Sequence, residues 1–229
     1  MKLDRTTLSW TLTLALSLAV APSTLLAEGS GHCHDASAEA GAEATSVTET
    51  AAVTSDLKIP DTPLLDQNGR TVRFGPDLVD GKVVAVNFVF TTCTTVCPPM
   101  GANFGKLQSL LGDRAGKDVH LISVSIDPAV DTPQRLAAWG KRFGAGDAWT
   151  LVTGEKPRVD ALLQQLGVFV AEKQFHSPIV LLGNAKTGTW QRANGLTPAS
   201  ELLTQLDALA AGPETHAHHD HAAAQETSP

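Results

Sequence analysis

The sequence predicts an α/β fold, a central mixed sheet flanked by helices with a β-hairpin extension at its N-terminal side. Three observations carry this. Two near-continuous β-branched and aromatic runs, "KVVAVNFVF" (82–90) and "HLISVSI" (120–126), read as strands buried on both faces. Stretches of helical periodicity alternate with them, which calls for a parallel centre. Near the C-terminus "PIVLL" (178–182) and "TWQRA" (189–193) flank a Gly183–Gly188 turn and read as a closing antiparallel hairpin.

The elements follow in order. "TPLLDQNGRTVRF" sets an Asn68-Gly69 turn between short apolar stretches, the signal of the first hairpin. After strand 82–90, Met100, Phe104, Leu107 and Leu111 recur at helical spacing. Asp127-Pro128 ends the second strand, and Thr132-Pro133 supplies a cap and a first-turn proline for a helix with Leu136, Trp139 and Phe143 facing inward. The alternation implies a further strand before a helix carrying Val159, Leu162, Leu163 and Leu166, stopped at Gly167. Thr197-Pro198 opens a last helix through Leu202, Leu206 and Leu209. Hairpin, β, α, β, α, β, α, β, β, α is the thioredoxin-like arrangement with an N-terminal extension and one inserted helix.

At 229 residues and 42% hydrophobic content, the chain holds one sizeable domain with tails. A net charge of -7 excludes the basic footprint of a nucleic-acid binder. Residues 1–27 read as an export signal: Lys2 and Arg5, an apolar run from Leu8 to Val20, and a cut after Ala27, with a retained membrane anchor as the alternative. The expected compartment is the periplasm. Residues 28–56 are Ala, Glu, Ser, Gly and Thr with no large apolar residue beyond Val and read as a disordered linker; 212–229 read as a disordered His-rich tail. The folded domain is then 57–211.

The chemistry concentrates in "NFVFTTCTTVCPPM" (87–100). Cys93 and Cys97 follow directly from a buried strand, at the end where ligand crevices lie in α/β folds. A proline disfavours the α region for the residue before it, so the next helix is expected to start near Pro99 with Cys97 just ahead of its first turn. Free amides and the helix dipole there favour thiolate. Buried structural cysteines, a small-loop disulfide, a redox dithiol and a metal site all remain open. A metal needs a further ligand, and His176 in "KQFHSPIVL" is the candidate, because in such a fold this loop lies beside the thiols. Two thiolates and one imidazole suit Cu(I), and Cu(II) with an added weak ligand; zinc prefers four ligands in a structural site. His120 begins a strand without a partner in sequence and reads as structural.

"NFVFTTCTTVCPPM", "SVSIDPAVDTPQRL" and "FHSPIVLLGNAKTGTWQRANGL" together resemble the Sco/SenC family of copper-binding proteins, over about Leu57 to Leu206. The family pattern is C-x-x-x-C-P, then D-P-x-x-D-T-P, then a distant histidine. Here these are Cys93, Cys97 and Pro98; Asp127, Pro128, Asp131, Thr132 and Pro133; and His176. The resemblance implies a thioredoxin-like copper protein with Cys93, Cys97 and His176 as ligands. It also implies a role at the copper centre of cytochrome c oxidase, delivering copper or keeping the acceptor's cysteines reduced. Thr94 stands where many members have Pro, Phe175 stands where many have Asp, and the chain has no Tyr. Asp127 and Asp131 either order the site loops or simply end a strand and start a helix.

The expected partner is the copper-centre subunit of the oxidase or another copper or thiol acceptor, and the expected cofactor is copper. A thiol-disulfide reductase using the same pair, a peroxidase on the same fold, and a copper buffer or sensor are the rival readings. "HCHD" (32–35) and "HAHHDH" (216–221) are metal-philic tracts that either capture copper or are incidental, and Cys33 is the odd thiol, outside the core site.

Overall fold

The computed structural model describes residues 53–54 and 57–212. The export signal, most of the linker, Cys33 and the His-rich tail lie outside the described residues. Among those described, no helix is long and apolar enough to cross a membrane.

One strand falls inside the stretch read as linker: β1 (Val53–Thr54). The first hairpin forms as expected, β2 (Pro63–Asp66) antiparallel to β3 (Thr71–Arg73), with Leu64 opposite Val72. Gly69 takes φ 79°, the left-handed conformation that this turn needs and a side chain would resist. Phe74 to Val79 then make a π-helical turn that sequence periodicity did not indicate. Its Asp80 amide donates to the Gly75 carbonyl at 2.9 Å, and Phe74, Leu78 and Val79 are buried by it.

The two apolar runs are β4 (Val83–Val89) and β5 (Val119–Ser125), and β4 is buried at every position. Between them lies α1 (Cys97–Leu111), which buries Met100, Phe104, Leu107 and Leu111 at the expected spacing. The helix starts at Cys97, two residues before the expected Pro99. Both prolines are pre-set at helical φ and need no amide in a first turn. Tertiary packing thereby overrides the preference of a pre-proline residue. α2 (Pro133–Arg142) is capped by Thr132, whose hydroxyl accepts from the Arg135 amide at 3.3 Å. The implied strand is β6 (Trp149–Thr153), followed by α3 (Lys156–Gln165) with Gly167 at φ 67° just beyond it. β7 (Ile179–Asn184) and β8 (Thr189–Asn194) form the closing hairpin, and α4 (Ala199–Ala211) ends the domain.

The sheet order is β1-β8-β7-β4-β5-β6-β2-β3. β4, β5 and β6 are parallel at the centre, and the β7–β8 and β2–β3 hairpins join antiparallel on either side. β1 pairs with the outer side of β8 and satisfies backbone groups that would otherwise be an open edge. Successive residues of β4 alternate between two cores. Ala85 and Val89 face α1, α2 and α4; Val84, Val86 and Phe88 face α3 and the π turn. The β4–β7 pairing sets Asn87 opposite Val180. The loop after β4 and the loop before β7 therefore emerge at the same end of the sheet.

Candidate metal centre

The first of these loops carries the thiols. The Cys93 amide donates to the Phe90 carbonyl at 3.1 Å, turning the chain back as it leaves the sheet. Both cysteines are free thiols, and both sit in the core cluster under α1. In the first turn of α1, Pro98 and Pro99 have no amide hydrogens, so the Cys97 N–H is the donor that remains. It points at the Cys93 sulfur, at 3.3 Å. The Thr95 hydroxyl lies 3.7 Å from the same sulfur.

These contacts divide the pair. Burial pushes the Cys93 thiol up, but hydrogen bonds from the Cys97 side chain and amide and from the Thr95 amide and hydroxyl outweigh it, so Cys93 ionises more readily than an ordinary thiol. Cys97 is fully buried. Loss of hydration, together with its hydrogen bond and charge interaction with Cys93, pushes it up to about 12. Of the two, Cys93 is the more readily ionised and Cys97 the one held protonated.

The second loop carries His176, directly after a short 3-10 turn, Lys173–Phe175. The imidazole is 8% exposed, and both Nδ1 and Nε2 are buried without a hydrogen-bond partner. Such a group is costly unless something satisfies it. Burial lowers its pKa, so the ring is neutral at neutral pH with a lone pair to offer. Phe175, directly before it, is 73% exposed and offers it no hydrogen bond. The structure thus brings Cys93 and Cys97 into contact and sets His176 at the same end of the sheet. It does not gather all three: among the described residues, no three His, Cys, Asp or Glu side chains stand together as a formed metal site. The donor chemistry fits a thiophilic metal, with two sulfurs and an imidazole nitrogen lacking any other partner.

Asp131 orders the thiol loop rather than merely starting a helix. Its buried carboxylate accepts the Thr91 amide at 3.2 Å, the Thr91 hydroxyl at 2.5 Å and the Ser125 hydroxyl at 2.7 Å. The Arg135 Nε donates to the Thr91 hydroxyl at 3.3 Å. His120 lies in β5, partly buried, with its charged form disfavoured first by burial and then by Lys82. Sequence reasoning missed Thr95 and Lys173. Thr95 lies two residues from Cys93, a spacing at which hydroxyls bond locally, so a signal existed. Lys173 meets Asp127 across 46 residues, and nothing local announced it.

A mixed sheet of this order with a cysteine pair at a strand-to-helix junction defines a thioredoxin-like thiol protein. Comparison with known proteins makes this specific. The family model described as SCO1/SenC matches residues 55–211. A SCO1 protein homolog of Bacillus subtilis is 36% identical over 90 residues, 39% of this chain and 45% of that one. A putative copper-binding protein of Stutzerimonas stutzeri is 29% identical over 110 residues, 48% of this chain and 52% of that one. The matched stretch spans about half the length of these curated relatives. The crystal structure of a SCO1/SenC family lipoprotein from Bacillus anthracis superposes with a TM-score of 0.59 at 26% identity, covering 67% of this chain and 95% of that one. The chain belongs to the SCO1/SenC family.

Proposed function

We propose that this protein is an exported copper carrier that binds copper through Cys93, Cys97 and His176 and serves the copper centre of cytochrome c oxidase, by delivering the metal or by reducing the acceptor's cysteines. The observation that carries it is the buried imidazole of His176, orphaned at both nitrogens, at the sheet end that also holds the Cys93–Cys97 thiol pair. Family membership and the copper-binding description of a relative support the choice of metal. The signal-like N-terminus supports export to the periplasm.

Copper is cargo here. Cys93 offers a thiolate, Cys97 gives up its proton as it binds, and neutral His176 would supply the nitrogen. Uptake therefore releases protons, one of them from Cys97. An acceptor's ligands then replace these three in turn. The test is metal analysis of the purified, reduced protein with X-ray absorption at the copper edge. One copper per core site with two sulfurs and one nitrogen is expected, and His176→Ala loses the nitrogen and binds more weakly. Equal affinity in that variant would sink the three-ligand site.

The division between Cys93 and Cys97 favours a second activity on the same pair. The Cys93 thiolate attacks an acceptor disulfide and displaces one acceptor thiolate. Cys97 then loses its proton, attacks the mixed disulfide at Cys93 and releases the second, leaving acceptor reduced and this pair oxidised. Disulfide reduction that persists with a copper chelator present identifies this activity; its absence leaves delivery alone.

A further inference from the structure

No side chain hydrogen-bonds the His176 imidazole, so the backbone of its own loop carries much of its placement. That loop has one strong anchor. Lys173 opens the turn that ends at His176, and the His176 amide donates to the Lys173 carbonyl at 3.1 Å. The Lys173 ammonium forms an ion pair with Asp127, whose side chain is only 13% exposed. The same ammonium lies 5.4 Å from the ring centroid of Phe90, the residue whose carbonyl holds the Cys93 amide. An exposed ion pair contributes little, but here the carboxylate is mostly buried and the ammonium, 41% exposed, lies over an aromatic ring, so the pair is screened less than one in open water.

From Asp127 the connection continues inward. Its amide donates to the Ser125 hydroxyl at 3.1 Å, Ser125 donates to Asp131, and Asp131 holds Thr91, two residues before Cys93. One polar chain therefore runs from the histidine loop to the thiol loop.

We propose that Lys173 is a positioning residue for His176: its ion pair with Asp127 fixes the 173–176 turn against the thiol loop, and so sets how readily the imidazole joins the two sulfurs. This rests on the copper-site reading above. Lys173 touches no ligand atom and acts through the turn it opens.

The experiment measures Cu(I) affinity of the purified, reduced full chain, with Cu(I) supplied as its complex with a chromophoric chelator. Lys173→Met is expected to weaken binding about tenfold, as loss of an outer-shell partner does. Lys173→Arg restores most of it, and Asp127→Asn reproduces the loss without touching the lysine. In a His176→Ala background, Lys173→Met adds nothing further, because the group it positions is gone. Cys93 alkylation at fixed pH stays at the wild-type rate in Lys173→Met, which separates loop positioning from damage to the thiol loop. Wild-type affinity in Lys173→Met alongside weak binding in His176→Ala overturns the anchor and leaves the copper site standing. An equal loss in both backgrounds shows that Lys173 supports the fold instead, and also overturns it. Wild-type affinity in His176→Ala removes both readings together.

Discussion

At the scale of single residues, the site's chemistry is set by what each donor lacks. Cys93 gains hydrogen bonds without gaining a cation, so its reactivity depends on a hydroxyl and on its partner cysteine. Thr95→Val should raise the pH midpoint of Cys93 alkylation, measured as iodoacetamide rate against pH, because one donor to the thiolate is lost. His176 gives a stability signature on the acid side. Its folded pKa lies below the unfolded value near 6.5, so the unfolded chain binds more protons once pH falls below that value. Stability should decline as pH drops through that window. Denaturant midpoints of metal-free His176→Gln should show a shallower decline between pH 7 and 5 than wild type. Cys97 acts on the alkaline side. Its folded pKa is raised to about 12 from 9.0, so the unfolded chain loses the proton first. The reduced protein should lose stability as pH climbs above about 9, an effect absent from Cys97→Ala.

At the scale of elements, α1 shows how packing reverses propensity. Gly105 lies within this helix, where alanine would normally add about 1 kcal/mol. A Cβ there would overlap the Phe143 carbonyl oxygen at the end of α2, and backbone cannot step aside cheaply. Gly105→Ala should therefore destabilise, by roughly 1–3 kcal/mol in chemical denaturation. Removing the α2 cap, Thr132→Ala, should cost about 1 kcal/mol by the same measurement. The strands and helices were legible because each obeys its own period: β4 as an unbroken apolar run, α1 as apolar residues three and four apart. The π turn at 74–79 and the start of α1 were not. The first is a single turn closed by the Asp80-to-Gly75 backbone bond, which no side-chain period reports, and the second is decided by packing around Cys97. That Cys93, Cys97 and His176 come to the same end of the sheet was legible from residue type and topology together. Thr91 and Lys173 were not, because their partners Asp131 and Asp127 stand 40 and 46 residues away.

At the scale of the whole molecule, the β4–β7 pairing brings together two loops that are distant in sequence, so the proposed copper site exists only in the folded chain. Copper binding and folding are then one equilibrium. One equivalent of Cu(I) should raise the thermal midpoint of the reduced protein, by an amount that grows with free copper. The disulfide form, and a Cys93→Ser/Cys97→Ser variant, should show no rise in the same scan. The sheet's two flanks add a constraint of another kind. They are closed by β1 and β3, strands of two and three residues, and Arg73 on β3 is tied to Asp61. A strand that short offers too few free amides and carbonyls to serve as a template. Among the described residues β1 covers β8 at Trp190 and Gln191, so a second chain seeking to extend this sheet meets only the short Arg192–Asn194 remainder of that edge.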